Sequence, residues 1–273
     1  MVKISGRKLE VSNQLIVRLS NGADYTFPKS IQGIEMSKGV DPQAYALIQE
    51  ASTEGNIEDY SANSAISMTQ GFNGLNYTDS QVEVLKAGLV IPTPARFMPH
   101  LRNANEALKG KGVLYDASGN LIEGDRLKGY LDTLNRNCWV WLNAGFAKGT
   151  GFKNLDLLTV SGLVLNEGLH ESRVPLEDCL EQDCWADLES LNKQGFPTKK
   201  SPIGDKYEPG RTAYFWYPRD GSVAGFDACS GGASFYCIRI PANRDDALGV
   251  FTSTEGASVA KKKDTEESVG VTA

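Results

Sequence analysis

The strongest constraint on the fold is a two-residue period that begins at Ala213. On one side of the alternation the residues are small or apolar: Val223, Phe226, Ala228, Ala233, Phe235 and Cys237. Between them stand residues that share no property: Gly225, Asp227, Cys229, Ser234, Tyr236 and Ile238. Successive side chains of a strand point to opposite faces. The alternation therefore predicts sheet strands with a coherent core face and an outer face of unrelated chemistry.

The same segment has an unusual composition. The 38 residues between Trp216 and Glu255 contain no Lys, Glu, Gln, Met or Trp. The other 235 positions hold 50 of these residues, and at that frequency the window would contain about eight. These five amino acids are the ones that no codon ending in a pyrimidine can encode. The absence of these five amino acids therefore indicates a constraint on how the DNA of this segment was made.

Length and charge narrow the function classes. The 273 residues suffice for one good core with a smaller appendage. The net charge of -6 and the absence of a basic stripe argue against a nucleic-acid partner. No apolar run approaches the roughly 20 residues that span a bilayer, and the N-terminus lacks the apolar core of a signal peptide. We therefore expect no membrane insertion, and display on a virion or cell surface stays open.

The cysteines and histidines do not predict a metal site. The five cysteines form no CxxC motif, and His100 and His170 are far apart in the sequence. We expect no bound metal and no cofactor. Cys138 is expected to be a buried small apolar residue. Cys179 and Cys184 could pair across a turn or stay reduced.

Residues 1–75 are predicted to form a small β-rich N-terminal region. KLEV and LIVRL are apolar-rich, and Asn21-Gly22 before DYTF is a hairpin turn signal. DPQAYALIQEA is a short helix candidate within this region.

The main domain is predicted to span 76–254, followed by a disordered tail over 255–273. Thr93-Pro94 predicts a helix start, with Phe97, Leu101, Ala104 and Leu108 on its packed face. Residues 115–120 are expected to form a turn between two short strands. A second helix is expected from Asp125 to Gly145. A buried strand over 155–165 and an amphipathic helix over 176–194 follow.

Several residues around the alternation resemble a known family. They are Trp216, the run Arg219-Asp220-Gly221-Ser222-Val223-Ala224, the spacing Phe226-x-Ala228-x-Ser230-x-x-Ala233-x-Phe235-x-Cys237, and Leu248-Gly249-Val250. The upstream runs PTPARFMPH and LNRNCWVWLNAGF look like the fixed part of the same proteins. On these residues the chain resembles the variable proteins of diversity-generating retroelements, in particular their archaeal, virus- or episome-borne branch. The resemblance covers about residues 76–254 and is most specific over 216–251.

The resemblance implies a fold and a source of variation. The implied fold is α+β and C-type-lectin-like, with two helices packed on a small twisted antiparallel sheet and irregular loops that carry the ligand surface. In such elements a reverse transcriptase misreads adenines, chiefly in the asparagine codons AAC and AAT. With a pyrimidine kept as third base, every amino acid can arise except Lys, Glu, Gln, Met and Trp. These five are the residues missing from the window.

The positions between the frame residues are the candidates for variation and ligand binding. They are Tyr217, Arg219, Asp220, Gly225, Asp227, Cys229, Gly231, Ser234, Tyr236, Ile238, Arg239, Ile240, Asn243, Arg244, Asp245 and Asp246. Tyr, Arg, Asn, Ser and Gly are also favoured in immune paratopes. The expected partner is an unidentified protein or surface ligand. No heptad repeat predicts an oligomer.

Four alternatives remain beside the binding hypothesis. The segment could simply be edge strands and loops of an ordinary β domain, or part of a structural virion protein. Formylglycine-generating oxidases share the implied fold, and Cys229 and Cys237 are the candidates for their cysteine pair, although no histidine lies nearby to activate a thiol. Calcium-dependent sugar binding is disfavoured because Glu208-Pro209-Gly210 lacks the amide ligand of the lectin motif.

One motif departs from the pattern of the phage members. They often carry Arg-Gly-Gly-Ser-Trp where this chain has Arg219-Asp220-Gly221-Ser222-Val223. The local loop geometry and the assembly of the phage proteins are therefore not carried over to this chain.

Overall fold

The computed structural model describes residues 16–18, 24–26, 34, 36, 39–48, 64–164 and 168–255. The predicted strand KLEV, the Asn21-Gly22 turn and residues 256–273 of the predicted tail lie outside the described residues. Glu255, expected in the tail, is the last residue of a strand.

Within the described residues the chain has three α-helices: α1 (Tyr77–Lys86), α2 (Pro94–Leu108) and α3 (Gly124–Arg136). The strands are β1 (Ile16–Arg18), β2 (Asp24–Thr26), β3 (Tyr45–Leu47), β4 (Ser64–Ser67), β5 (Leu114–Tyr115), β6 (Leu121–Ile122), β7 (Cys138–Lys148), β8 (Leu155–Val164), β9 (Gly168–Pro175), β10 (Cys184–Asp187), β11 (Thr212–Trp216), β12 (Val223–Cys229), β13 (Gly232–Arg239) and β14 (Ser253–Glu255). The predicted α+β class is confirmed.

Seven strands form the main sheet in the order β10-β11-β13-β12-β7-β8-β9. Neighbouring strands are antiparallel except for β11 and β13, which run parallel. Helices α2 and α3 contact one face of β7 and α3 also contacts β12. On this face the ring of Phe97 lies 5.3 Å from that of Phe226 and 5.8 Å from that of Phe251. The main core therefore lies between these helices and the sheet.

The opposite face of the sheet is covered only in part. Tyr77 of α1 meets Trp141 of β7 edge to face at 5.8 Å between ring centroids. Val223, Leu248 and Val250 join this second cluster of buried residues. Farther along the sheet, across β13, β11 and β10, the same face is open to solvent. The open part is where the candidate site lies.

The N-terminal strands fall into two groups. β1 and β2, on either side of the predicted hairpin turn, pair antiparallel with each other. The other two strands are joined to the main domain. β3 and β4 form a three-stranded sheet with β14 from the other end of the chain. Ala46, Ile48 and Ile66 belong to the same buried cluster as the residues of α2 and α3. The division at residue 75 stays a prediction, but residues 45–48 and 64–67 share the core of the domain.

Several sequence predictions are confirmed. α2 begins at Pro94 directly after Thr93, and β5 and β6 flank the turn over 115–120. β8 occupies nearly the whole predicted strand, although Ser161 and Leu163 are exposed. Leu108 is 55% exposed and does not pack with the other residues of its predicted face.

The helix predicted from Asp125 to Gly145 is wrong in its second half. α3 ends at Arg136, and Cys138–Lys148 is a strand. Its Val140 and Leu142 face the helices, whereas Trp141 faces the second cluster. A strand buried on both faces has no alternation of apolar and polar residues, so its apolar run can match the spacing of a helix. Cys138 is buried as expected.

The helices predicted over 176–194 and 41–51 are also wrong. The first segment is irregular except for β10. Here polar side chains accept hydrogen bonds from nearby backbone N–H groups, which therefore do not form the hydrogen bonds of a helix. Asn192 accepts hydrogen bonds from the Gln194 and Phe196 N–H groups, and Glu177 accepts one from the Lys193 N–H. Within 41–48, the described part of the second segment, the 3-10 turn at Pro42–Ala44 leads into β3, whose residues are buried against β4.

α1 (Tyr77–Lys86) is a helix that the sequence did not predict. The Asn76 side chain caps it by accepting a hydrogen bond from the Asp79 N–H at 2.8 Å. Its packed face is narrow and largely polar, with Ser80 and Gln81 buried beside Val84. An apolar stripe of helical spacing is therefore absent from this segment.

Candidate functional site

β12 and β13 form a hairpin whose two faces differ as the alternation predicts. Phe226 is paired with Phe235, and Asp227 with Ser234. The inner set faces the helices and is buried: Ala224, Phe226, Ala228, Ala233, Phe235 and Cys237. The outer set faces away from them at Gly225, Asp227, Cys229, Ser234 and Tyr236. Ile238, the sixth member of this set, is half-buried and lies at the register shift. Val223, expected with the inner set, is buried on the other face because the register shifts between Val223 and Gly225.

Fifteen of the sixteen candidate positions are at least partly accessible. The half-buried ones are Tyr217, Asp227, Ser234, Tyr236, Ile238 and Arg239. The exposed ones are Arg219, Asp220, Cys229, Gly231, Ile240, Asn243, Arg244, Asp245 and Asp246. That these positions vary and bind ligand stays a prediction.

Gly225 is buried, so its predicted ligand-facing position is wrong. A Cβ atom at this position would lie 2.7 Å from Nε of Arg239 and 2.8 Å from the Val140 carbonyl oxygen. The Arg239 side chain crosses β12 above Gly225, and its guanidinium carbon lies 5.6 Å from the ring centroid of Trp141. The long side chain of Arg239 therefore covers a position that the alternation places on the outer face.

A row of side chains across five strands creates a groove on the outer face. In register, the row reads Trp185, Tyr214, Ser234, Asp227 and Trp139 on β10, β11, β13, β12 and β7. The two central residues are short and the outer ones are large rings. A groove of about 570 Å³ results between the rings.

The groove has two kinds of lining. We call its large rings the aromatic walls: Trp139, Trp185, Tyr214 and Trp216. The hairpin β12–β13 and its turn contribute eight lining residues: Asp227, Ala228, Cys229, Gly231, Gly232, Ala233, Ser234 and Tyr236. Five of the eight are among the sixteen candidate positions, and we call these five the floor: Asp227, Cys229, Gly231, Ser234 and Tyr236. Ala228, Gly232, Ala233 and the wall residues are not candidate positions.

The rings at the groove are ordered by contacts with each other. Trp216 and Tyr236 are stacked, with their centroids 5.8 Å apart and an angle of 6° between the rings. Tyr214 lies 5.0 Å from Trp216 and meets Trp185 edge to face at 5.9 Å. The guanidinium of Arg239 lies 4.7 Å from the ring centroid of Tyr236. Such contacts hold the rings in fixed positions and pre-organise the surface for a ligand.

Asp227 and Arg239 form an ion pair at the floor. Burial raises the pKa of Asp227 to about 6, although the charge of Arg239 acts in the opposite direction. The nearby Asp245 carboxylate also raises this pKa. The buried Asp227 Oδ1, Arg239 Nε and Trp216 Nε1 atoms have no hydrogen-bond partner among the described residues. Polar groups in and beside the groove therefore keep bonding capacity that is not fully used.

A second cavity of about 550 Å³ brings together Tyr217, Arg219 and Asp220 with Lys148 and Lys153. Arg219 is paired with Asp183 at 3.1 Å and Lys153 with Glu181 at 2.7 Å. Lys148 donates its backbone N–H to Asp220 at 2.9 Å. The charges of this cavity are largely compensated within the protein.

The remaining candidates lie on the loop from Ile240 to Asp246. Ile240 is 70% exposed, and Arg244 is paired with Asp79 of α1. This loop lies on the same side of the sheet as α1, because Arg244 pairs with Asp79 of α1 and Tyr77 of α1 packs on Trp141 of β7.

No family model, curated protein or solved structure matches the chain. The candidate site therefore rests on its own geometry.

The cysteines are all free in the described part of the chain, so Cys179 and Cys184 are not paired. Cys229 is exposed at the tip of the hairpin, whereas Cys237 is buried in the inner set. Burial raises the pKa of the Cys138 and Cys237 thiols well above the ordinary value, and that of Cys179 to about 12. Cys229 and Cys237 thus point to opposite faces of the hairpin.

The histidines lie away from the groove. His100 is buried, bonds to the Tyr130 hydroxyl at 2.7 Å, and has a pKa lowered by burial to about 4. His170 contacts Ser161 between β8 and β9. Within the described residues no group of three or more His, Cys, Asp or Glu side chains is placed to hold a metal ion. Glu208 of the Glu-Pro-Gly motif contacts Lys109 and Arg211.

None of the helices in the described ranges is long and apolar enough to cross a membrane.

Sequence reasoning missed all four wall residues as parts of the site, although Trp216 was among the residues that carry the resemblance. Trp139 and Trp185 fell inside segments predicted as helices, and Tyr214 precedes the compositional window. Their signal lies in the strand order, because β10, β11 and β7 flank the hairpin only in the folded sheet.

Proposed function

We propose that the protein recognises ligands, most of them proteins, through a C-terminal surface that retroelement mutagenesis diversifies at adenine-containing codons. One observation carries this proposal. The window that lacks Lys, Glu, Gln, Met and Trp covers a hairpin with a sealed inner set and an outer set of unrelated chemistry. At the inner positions, packing by itself accounts for apolar residues. At the outer positions packing does not account for the absence of Lys, Glu, Gln, Met and Trp, so the absence there is informative about how the DNA was made.

The geometry supports diversification of the outer set and of the loop after β13. Exposed substitutions away from packing usually change stability by less than about 0.5 kcal/mol, whereas truncation of a buried Phe costs about 3–5 kcal/mol. A hairpin with a packed inner set can therefore change its outer side chains without losing the fold. The nine exposed candidate positions meet this requirement and the six half-buried ones meet it in part. Gly225 does not meet it while Arg239 covers it.

We further propose that the fold is C-type-lectin-like. Two helices on one face of a largely antiparallel sheet and long irregular segments between β10 and β12 support this proposal. The helix α1 on the opposite face and the parallel pair of β11 and β13 are features to compare with an experimental structure of a family member.

The position of the cysteines favours binding over oxidase chemistry. An oxidase of the formylglycine-generating type needs its cysteine pair together, whereas Cys229 and Cys237 lie on opposite faces of the hairpin. In the binding proposal Cys229 is one replaceable floor residue.

The flanking DNA provides the test. We expect a near-copy of the segment that encodes about 216–251, with asparagine codons at the candidate positions, beside a reverse transcriptase gene. Sibling genes should differ at Asp227, Cys229 and Tyr236. Differences that are as frequent at Phe226 and Phe235 would show that the segment is not diversified in this way.

A further inference from the structure

The aromatic walls and the floor of the groove come from different parts of the sequence. The four wall residues all precede position 217, where the compositional window begins. The five floor residues all lie inside the window. Diversification of the window, as proposed above, would therefore change the floor and leave the walls as they are. The walls then give every variant a shared ligand preference.

The protein already places one guanidinium group against a ring of the groove. Arg239 lies 4.7 Å from the ring centroid of Tyr236. At the second cavity, Arg219 lies 5.9 Å from the ring centroid of Tyr217. Aromatic rings attract cations through their quadrupole, and arginine also stacks on them as a planar group. Rings of this surface are thus compatible with a cationic ligand group.

Within the window, the charged side chains without an ion-pair partner are negative. Each arginine of the window is paired with an aspartate: Arg219 with Asp183, Arg239 with Asp227, and Arg244 with Asp79. In contrast, Asp245 and Asp246 have no cationic partner in the described ranges of the chain. Charge complementarity therefore calls for a positive group on the ligand.

We propose that the groove receives one cationic side chain, arginine or lysine, from the surface of a partner protein. The charge of this cationic side chain lies against the aromatic walls, on the side of Asp245. The floor residues contact the partner's neighbouring residues and determine which of them are accepted. This proposal rests on the proposed function for its division into constant walls and variable floor. The affinity for the cation itself rests only on the geometry of the groove.

A matched pair of peptides tests the proposal. Acetyl-Gly-Gly-Arg-Gly-Gly-amide is compared with the same peptide that carries citrulline, which has the shape of arginine without its charge. Binding is followed by the indole N–H signals in NMR spectra of the full chain, which has four Trp residues. Trp141 donates its indole N–H to the Leu75 carbonyl at 3.1 Å, away from the groove, and serves as the internal reference.

We expect the arginine peptide to shift the signals of Trp139, Trp185 and Trp216 and to bind about threefold or more tightly than the citrulline peptide. The advantage should shrink between low and high salt, since screening weakens the attraction of exposed charges. Equal affinities, or shifts by neither peptide, would overturn the proposal. Stronger shifts by a neutral methyl glycoside would overturn it as well, because the groove would then be a saccharide site.

Variants separate this proposal from the diversification proposal. Trp185→Leu should abolish the preference for arginine and Trp185→Phe should keep it. The floor variants Cys229→Tyr and Ser234→Asn should change affinity and still prefer arginine over citrulline. Loss of the preference for arginine in these floor variants would contradict the proposal that the constant walls determine it. Sibling genes without variation would refute diversification and leave the peptide result intact.

Discussion

The inner and outer faces of the β12–β13 hairpin are built from alternating residues of the same two strands but obey different physical constraints. Phe226 and Phe235 lie paired under the helices and are at most 1% exposed. Their neighbours Asp227 and Ser234 are also paired, yet they lie in an open groove. Close packing restricts the size and shape of an inner side chain, whereas an outer one meets solvent or ligand. One hairpin can therefore hold a fixed core and a changeable surface.

The largest expected difference between the faces is in stability. Phe235→Ala removes a fully buried ring that stacks on Phe196 at 5.7 Å, so we expect a loss of about 3–5 kcal/mol in the free energy of unfolding. Ser234→Ala, one residue earlier on the outer face, should change it by about 0.5 kcal/mol or less. Urea unfolding of both variants measures the two values. Similar losses would remove the distinction between the faces.

The charge of Asp227 provides a second comparison, through pH. Its pKa in the folded protein is raised to about 6 from the ordinary 3.8. The folded protein therefore keeps a proton that the unfolded chain releases first, and this stabilising contribution is lost as the pH rises from about 4 to 6. Relative to Asp227→Asn, the wild type should lose about 2–3 kcal/mol of unfolding free energy between pH 3.5 and pH 7.

Asp156 is the matched control for that measurement. The hydrogen bond from Arg173, together with the Thr150 N–H, lowers its pKa. Relative to Asp156→Asn, the wild type should therefore gain stability as the pH rises through the acidic range, which is the opposite slope. Parallel slopes for the two pairs would contradict the burial of the Asp227 carboxylate.

Substitutions of Gly225 and Arg239 test whether outer positions affect stability independently of each other. Gly225→Asn brings a side chain against Arg239 and the Val140 carbonyl, so we expect a cost of about 1–3 kcal/mol. Arg239→Ser removes one of the two obstacles. In the double variant the two effects should therefore couple favourably, by about 1 kcal/mol in a double-mutant cycle. Additive effects would show that Arg239 does not restrict position 225.

The cysteines give the smallest expected effect. Cys229→Ala should change stability by about 0.5 kcal/mol or less, since the side chain is exposed. In the folded wild type, a thiol reagent should modify Cys229 first, because Cys138 and Cys237 are buried and burial raises their pKa. Mass spectrometry after short labelling identifies the modified residue. Early labelling of Cys237 would contradict its inner position.

The sequence predicts the hairpin better than its surroundings because the hairpin has one buried face. Alternation is visible at Phe226, Ala228, Ala233 and Phe235 since the residues between them are not buried. β7 has helices on one face and the second cluster on the other, so its period is hidden and it resembled a helix.

The candidate site could be predicted only in part for a related reason. The floor lies within one hairpin and follows from local alternation. The aromatic walls come from three other strands, and Trp185 and Trp139 reach the groove through the strand order β10-β11-β13-β12-β7. Gly225 was misplaced because its burial depends on the conformation of the Arg239 side chain, which a two-residue period does not specify.

The most direct test of the central claim is a pair of displayed libraries with pyrimidine-ending codons. One randomises the outer set except Gly225, and the other randomises the same number of inner-set positions. Protease resistance measures the folded fraction of each library, and selection against unrelated proteins measures binding. We predict that most outer-set members stay folded and yield binders, whereas few inner-set members fold. Equal folded fractions, or no binders from the outer-set library, would contradict a fixed core beneath a recognition surface.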